Sequence, residues 1–350
     1  MREISPKIFI EGSEIDYIEG SYSLNGGLTA AELLVQIPKP AGDFRKLWNR
    51  EITLYLNDFD TVPLFRGWIK RVAQDLNSME IRAEDAFGYL VKAGGQTQAK
   101  LTLTDRDNLD GLTMGAALIK AIQKANLQDK IGTDYIGDTT PPVPTAPAQL
   151  RGSMTVHDIL SELLSKAVDN SGTLPRPNIA RLIDDGTNTQ LIIELESDVE
   201  TDTVVHTYTE HDNIIELSMI NRKIPTFITV NGKDGVTATF KHTSAITALD
   251  NNPLEVDNDT LGSPAECLDF AQKLFRANLK NQFEYGLEIT EGAYLVENDV
   301  IKIVTDDPDY NGNYRLIGKQ VDFSPDSYSI AITINRKPPT LAEYLSAEDN

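Results

Sequence analysis

The segment SYSIAITI, residues 327–334, carries the clearest fold information in this chain. Its alternate residues Tyr328, Ile330, Ile332 and Ile334 are apolar or aromatic, whereas the residues between them are small or polar. Successive side chains of a β-strand point to opposite faces of the sheet, so a period of two predicts a half-exposed antiparallel strand.

Short strands of the same kind are predicted towards both ends of the sequence. Ile52, Leu54 and Leu56 alternate with polar residues, and segments 65–69, 79–83, 227–230 and 300–304 are rich in strand-forming residues. Turn signals such as Asn25-Gly26-Gly27 separate them. Several short strands with this spacing predict a barrel or a sandwich.

Helical patterns and a proline-rich segment lie between these strand-rich ends. Apolar residues recur at helical spacing over 113–125 and 156–167, and the second pattern begins with Thr155 and Asp158 as a capping pair. Residues 139–147 are proline-rich and predict an extended connector. Later, Ser263-Pro264-Ala265-Glu266 predicts a helix start. The inner face predicted for this helix consists of Leu268, Ala271, Phe275 and Leu279, widened by Cys267, Phe270 and Leu274.

The predicted fold is therefore mainly β, with an α+β middle. We expect a β-barrel domain over residues 1–95, a peripheral α+β domain over 96–215, a second barrel-like domain with one helix over 216–340, and an acidic tail over 341–350. Runs of apolar residues are too short to span a membrane, and no secretory signal is visible, so neither membrane insertion nor export is expected.

The charge of the chain is strongly negative and uneven. Its 53 acidic and 32 basic residues give a net charge of −21, although the first 100 residues are almost neutral. Ten acids and no lysine or arginine occur between Leu182 and Asn221. Specific binding to nucleic acid is not expected, because phosphate binding needs clustered cations. The acidic run predicts either a solvated face or a surface that repels DNA.

No motif for catalysis, cofactor binding or metal binding is present. His206 and His211 are five residues apart, so on one continuous strand they would face opposite sides, and a zinc site shared by these two histidines is not expected. Cys267, the single cysteine, lies among apolar helix residues and is predicted to be a packed core residue. Asp307 to Gly312 resembles half of a calcium loop but lacks the closing glutamate, so a hairpin turn is predicted. The sequence predicts no enzyme and no cofactor.

Two stretches resemble the phage tail baseplate hub family, which includes the late-control D proteins and the hub-like start of type VI secretion spikes. The first runs from Leu64 to Val72 (LFRGWIKRV) and continues over 79–90 (MEIRAEDAFGYL). The second starts at Gly312-Asn313-Tyr314 and ends with the alternating strand at 328–334. Glu297-Asn298-Asp299 departs from the family pattern, in which a Gly-Asp turn is common at this position.

The resemblance implies two tail-tube-like barrels flanking a variable α-containing region. It also implies a homotrimeric ring, located in the virion baseplate after synthesis in the host cytoplasm, that joins the hexameric tail tube protein to a central spike, tip or fibre. The tape measure protein is a further candidate partner, and DNA would pass through the ring without specific binding. Acidic residues lining that channel would keep DNA from adhering.

Eight residues are expected to form the barrel cores or the interfaces between subunits: Phe65, Gly67, Trp68, Ile69, Tyr314, Tyr328, Ile330 and Ile332. Two alternatives from other functional classes remain open at this point. One is a tail-associated peptidoglycan hydrolase whose catalytic residues lie in the middle region. The other is a carbohydrate-binding module that recognises the host surface.

Overall fold

A computed structural model describes most of the chain, with gaps. The described residues are 5–39, 44–57, 60–91, 101–103, 109, 112–136, 152–166, 168–169, 176–221, 225–241, 252–258, 261–280, 283–325 and 327–335. The predicted connector at 139–147 and the predicted tail at 341–350 lie outside these residues.

Strands dominate the described chain, so the predicted mainly β class is confirmed. Up to residue 195 the elements are β1 (Lys7–Ile10), β2 (Ser13–Ile15), β3 (Glu19–Asn25), β4 (Glu32–Pro38), β5 (Glu51–Tyr55), β6 (Phe65–Gln74), β7 (Ser78–Glu84), α1 (Phe87–Val91), β8 (Leu101–Leu103), α2 (Met114–Lys124), β9 (Gly152–Met154), α3 (Val156–Lys166), β10 (Val168–Asp169), β11 (Arg176–Asp184) and β12 (Thr189–Leu195).

The remaining elements are β13 (Val204–Thr209), β14 (Ile214–Asn221), β15 (Phe227–Asn231), β16 (Thr237–Lys241), β17 (Pro253–Asp257), α4 (Pro264–Lys280), β18 (Phe283–Ile289), β19 (Val300–Val304), β20 (Gly312–Ser324) and β21 (Ser327–Asn335). Single 3-10 turns lie at Phe44–Leu47, Lys233–Gly235 and Pro308–Tyr310.

The chain divides into two compact units. The first contains Met1–Ser197, Glu288–Asp299 and Ile317–Ile332, and the second contains the rest. The division with boundaries at 95, 215 and 340, and the closure of the strands into two barrels, stay predictions.

The first unit is built on a sheet whose neighbouring strands are β21, β20, β3, β4, β7, β6, β5, β1 and β2 in that order. Burial alternates along β1, β4 and β21, and Ile330 and Ile332 of β21 are almost fully buried whereas Ser329 and Ala331 are exposed. The strict alternation predicted for this segment is confirmed. It arises because one sheet face covers an apolar core while the other meets water.

A second core of the first unit gathers the helices. Leu118 of α2, Leu160 of α3, Leu90 of α1 and Leu191 of β12 are buried in one cluster, which Trp68 joins from β6. The predicted cap of α3 is confirmed. The amide of Asp158 donates to Thr155 Oγ1 at 3.0 Å, and the amide of Thr155 donates to Asp158 Oδ2 at 2.8 Å.

The second unit combines a parallel strand pair, a hairpin and a helix-covered sheet. β13 pairs in parallel with β19. β19 also pairs antiparallel with β20, the next strand along the chain, so the hairpin predicted at 307–312 is confirmed. β15 lies between β16 and β17. Helix α4 packs on these strands and begins at Ser263, whose Oγ accepts from the amide of Glu266 at 3.3 Å, as predicted.

Among the predicted inner-face residues of α4 whose side chains the structure describes, Leu268 is wrongly placed. Leu268 is 38% exposed, whereas Cys267, Ala271 and Phe275 are buried against Ile228 and Val230. Each residue rotates about 100° around an α-helix, so a stripe centred on Cys267 and Ala271 carries Leu268 towards solvent. The packing role predicted for Cys267 is confirmed.

Candidate functional site

The outer face of the sheet in the first unit is lined mainly by polar and charged residues. Cross-strand pairing places Asp322, Ser21, Leu34, Arg82 and Arg71 side by side on five adjacent strands, β20, β3, β4, β7 and β6. The row next to it contains Glu19, Gln36 and Glu80, and a third contains Gln320, Ser23, Glu32 and Glu84. We call this surface the acidic face.

The acidic face exists because the opposite side of the same strands is buried. Tyr22, Leu33, Val35, Ile81 and Val321 alternate with the polar residues and point into the core. Once these apolar side chains are buried, the period of two places every intervening residue on the outer face. The polar face is thus a direct consequence of the hydrophobic pattern together with the strand order.

At one end the acidic face is concave and forms a groove of about 780 Å³. Its lining includes the carboxylates of Glu19, Asp75, Glu80 and Asp322, together with several serines. No lysine or arginine is among the lining residues in the described part of the chain. The lining of the groove is therefore net negative, and a cation outside the lining, Lys39, helps to lower the pKa of Asp75.

Asp75 is held ionised by the turn between β6 and β7. Its carboxylate accepts hydrogen bonds from the backbone amides of Asn77 and Ser78 at 2.8 and 2.7 Å, and from the Ser78 hydroxyl at 2.9 Å. These bonds lower the pKa of Asp75. Hydrogen bonds to the charged form of a carboxyl group stabilise that form, so this position is negative at neutral pH.

The other end of the acidic face is closer to neutral. Arg82 forms an ion pair with Glu32 of the neighbouring strand β4, and hydrogen bonding to Glu32 raises the pKa of Arg82. Arg71 of β6 lies next to Arg82 in register. The negative charge is consequently concentrated at the groove end.

On the opposite side of the sheet, a cleft of about 570 Å³ is lined by buried ionisable groups. Burial raises the pKa of Asp85 to about 7 and that of Glu297 to about 7, and it lowers the pKa of Lys319 to about 7. The pKa of Tyr22 is also raised by burial. Loss of hydration disfavours the charged form of each group.

These buried groups are bonded to the backbone. Lys319 Nζ donates to the carbonyl oxygens of Ala293 and Leu295, and Glu297 accepts from the amide of Gly27. Asp85 Oδ1 accepts from the amide of Phe87 at 2.9 Å. Such bonds fix loops in place, and this arrangement supports a structural role for the cleft.

Segment 297–299 differs from the Gly-Asp turn that is common in the family pattern, and the conformation of Asn298 explains how a non-glycine residue fits this turn. Its φ is +76°, in the left-handed region where glycine is favoured and asparagine is tolerated. The Asn298 side chain accepts from the amide of Ser197 at 2.7 Å and donates to Glu194 Oε1 at 2.9 Å. The sequence offered one signal for this turn, the tolerance of asparagine for positive φ, but no signal for its partners.

The eight residues singled out from the sequence lie in two places. In the first unit Phe65, Trp68, Ile69, Ile330 and Ile332 are buried, and half-buried Tyr328 donates from its hydroxyl to the Thr290 carbonyl at 3.0 Å. Tyr314 is fully buried in the second unit and donates to the Tyr310 carbonyl at 2.7 Å. An added Cβ at Gly67 would overlap the Phe65 ring and the Glu84 carbonyl oxygen.

Two members of the acidic run 182–221 are neutralised by ion pairs. Asp184 Oδ2 lies 2.5 Å from Arg66 Nε, and Glu194 Oε1 lies 2.8 Å from Arg181 Nε. The acidic face, by contrast, is built from other acids, at positions 19, 32, 80, 84 and 322. The sequence run and the structural face are different sets of residues.

No protein-family model matches the sequence, and no curated protein sequence matches it. Solved structures do match its fold. A tail protein from Neisseria meningitidis MC58 is 13% identical with a TM-score of 0.66, over 95% of this chain and 96% of that chain. The 43 kDa tail protein of prophage MuSo2 from Shewanella oneidensis is 11% identical with a TM-score of 0.65, over 95% and 98% of the two chains.

A third match is the E. coli c3393 protein, described as a component of the type VI secretion system. It is 14% identical with a TM-score of 0.53, over 95% of this chain and 79% of that chain. At these identities the matches establish the fold, and the predicted resemblance to tail and type VI spike proteins is confirmed at that level. In the described residues, no helix is long and apolar enough to cross a membrane.

Proposed function

We propose that this chain is a structural baseplate hub protein of a phage tail. In this proposal a homotrimeric ring joins the hexameric tail tube to the central spike, tip or fibre, and the acidic face lines the channel through which DNA passes. The observation that carries the proposal is the concave groove with four carboxylates and no lining cation. The fold shared with tail proteins over nearly the whole chain supports it.

The physical role of the acidic face would be to keep DNA mobile. DNA binds proteins mainly through phosphate contacts with lysine and arginine, and the groove offers none. At physiological ionic strength the Debye length is about 8 Å, so repulsion from the groove acts only on DNA that passes close to it. A narrow channel is the setting in which such a surface matters.

Symmetry supports the proposed ring architecture. If each subunit carries two similar domains, three subunits present six similar surfaces, which matches a hexameric tube on one side while keeping threefold symmetry for a spike on the other. The tail tube protein, the spike or tip protein and the tape measure protein are the partners proposed. The eight residues named from the sequence would support this ring as core or interface residues.

Native mass spectrometry of the purified chain, alone and mixed with the tail tube protein of the same phage, tests the assembly. We expect a threefold mass, at least in the presence of the tube protein. A monomer under both conditions would contradict the hub assignment.

Charge reversal tests the acidic face. The triple variant Glu19→Lys, Glu80→Lys, Asp322→Lys should change a protein that does not bind DNA into one that does, with an affinity that falls steeply with salt. A matched control reverses three exposed acids of the second unit, Asp212, Glu216 and Glu255. Fluorescence anisotropy with duplex DNA is the readout. Equal DNA binding by both triple variants would show that net charge alone is responsible and would remove the channel role.

No contact among the described residues favours the two alternatives named from the sequence. The buried ionisable groups of the cleft are engaged with backbone groups, and no specific observation favours a hydrolase or a carbohydrate site.

A further inference from the structure

Two segments of the second unit meet at the ends of its parallel strand pair. β13 and β19 run side by side, with Thr209 opposite Val304, and the amide of Glu210 continues the pairing by donating to the Val304 carbonyl at 3.0 Å. Glu210 and His211 leave the end of β13, and Asp306 leaves the end of β19. Because parallel strands end at the same sheet edge, residues nearly 100 positions apart in sequence become neighbours.

Glu210, His211 and Asp306 form a group with metal-ligand geometry. One ligand atom from each residue lies within 4.8 Å of the other two. His211 Nε2 and Asp306 Oδ2 are 3.1 Å apart. Two ligands bound to one Zn²⁺ at about 2.0–2.1 Å each lie roughly 3.0–3.5 Å from one another, so the His211–Asp306 separation already fits. Rotation of the Glu210 side chain would bring the third ligand atom within this range.

Backbone hydrogen bonds hold this group in position. The amide of Asp306 donates to Glu210 Oε2 at 2.8 Å, which orients that carboxylate. The loop after β19 is fixed by Asn311, whose Oδ1 accepts from the Thr305 amide at 2.5 Å and whose Nδ2 donates to the Thr305 carbonyl at 3.1 Å. The bond from the Asp306 amide therefore limits the conformational freedom that the Glu210 carboxylate would lose when a metal binds.

We propose that Glu210, His211 and Asp306 bind a divalent transition metal of the Zn²⁺ type, with water completing the coordination. The imidazole separates this group from an ordinary pair of exposed acids, because imidazole selects Zn²⁺ and its neighbours in the first transition row over Mg²⁺ and Ca²⁺. The competing interpretation is a simple ion pair between protonated His211 and Asp306.

The metal would connect two chain segments that are held otherwise by strand pairing, and it would stabilise the second unit. Because all three side chains are exposed, affinity in the micromolar range is expected rather than that of a buried structural zinc site.

Isothermal titration of the full chain with ZnCl₂ at pH 7.5, compared with CaCl₂ and MgCl₂, tests the site. We expect one zinc site that is weakened at least tenfold by His211→Ala and by Asp306→Asn. The matched control His157→Ala removes a histidine from α3 in the first unit and should leave the affinity unchanged. Zinc should also raise the melting temperature of the wild-type chain but not of H211A.

Three results would overturn the proposal. These are zinc affinity weaker than millimolar in the wild type, equal zinc affinity in H211A, or calcium binding that matches zinc and survives the loss of the imidazole. Asp306→Asn preserves size and surface position, so a folding defect would not obscure its outcome.

Discussion

The backbone amide of Gly27 donates a hydrogen bond of 2.8 Å to Glu297 Oε1, joining two residues that are 270 positions apart. Gly27 follows β3 with φ at +83°, and Glu297 belongs to the turn that precedes β19. This bond therefore connects an early and a late segment of the chain within the first unit. It uses a carboxyl group that burial makes costly to ionise.

The pH dependence of stability should reveal Glu297. Burial raises the pKa of this carboxyl from 4.5 to about 7, so the folded state holds its proton more tightly than the unfolded state. Its contribution to stability is complete below the unfolded pKa and is lost as the pH rises from about 4.5 to 7. Glu297→Gln keeps an acceptor for the Gly27 amide and removes the ionisable group. Between pH 5 and 8 the free energy of unfolding of this variant should therefore fall by less than that of the wild type, and the difference should reach about 3 kcal/mol.

Urea unfolding monitored by tryptophan fluorescence provides the measurement, since Trp48 and Trp68 both belong to the first unit. Glu80→Gln, which neutralises an exposed carboxylate, should leave the pH slope unchanged. Asp85, whose pKa burial also raises to about 7, contributes a slope of the same sign, so between pH 5 and 7 the slope in E297Q should shrink without vanishing. Above about pH 7 Lys319, whose pKa burial lowers to about 7, contributes a slope of the opposite sign. An E297Q slope equal to that of the wild type would contradict the role of the buried charge.

Two ion pairs of the first unit should differ in their contribution to stability. Arg66 and Asp184 are 13% and 8% exposed, and Arg66 also lies 2.9 Å from Glu51, whereas Arg82 and Glu32 are 41% and 37% exposed. Asp184→Asn should lower the free energy of unfolding by about 2–4 kcal/mol, because it leaves a desolvated guanidinium with one remaining anion. Glu32→Gln should cost less than about 1 kcal/mol, as is usual for a solvated pair. Similar losses from the two variants in urea titrations would refute this ranking.

Gly67 should tolerate no side chain. A Cβ at this position would overlap the Phe65 ring and the carbonyl oxygen of Glu84 on β7, and backbone cannot move aside without disturbing the sheet. Gly67→Ala is expected to cost about 1–3 kcal/mol. Gly262→Ala is the matched control, since an added Cβ there meets only Glu266 at 3.8 Å. Thermal unfolding of the two variants compares them directly, and a Gly67 variant as stable as the wild type would show that the strand relaxes.

Cys267 should report the unfolding of the second unit. Its side chain is fully buried against Ile228 and Val230, so its thiol should not react with a disulfide reagent in the native protein. The Cys267 thiol should react only when denaturant separates α4 from the strands it covers, because only then does the reagent reach the sulfur. A cysteine placed at exposed Ser329 in the same chain should react at once. Prompt modification of the native wild-type thiol would contradict the packing.

Local patterns in the sequence determined much of the secondary structure. The period of two at 327–334 identified β21, and Thr155 with Asp158, like Ser263 with Glu266, marked the starts of α3 and α4. These signals depend on residues within a few positions of each other, where side-chain direction and capping are set by the backbone itself. The same local reasoning placed Leu268 on the wrong side of α4, because helix orientation is fixed by the strands it covers.

Only the tertiary structure decided which residues act together. The acidic face combines residues 19–36, 78–84 and 320–322, and the pairs Arg66–Asp184 and Gly27–Glu297 join positions 118 and 270 residues apart. The acidic run at 182–221 suggested a negative surface, yet two of its acids form ion pairs. The acids that line the groove come instead from positions spread along the chain. Strand order and register are set by burial of a shared apolar face. Because this pairing joins segments far apart in the sequence, no local periodicity encodes it, and it determines which charged residues become neighbours.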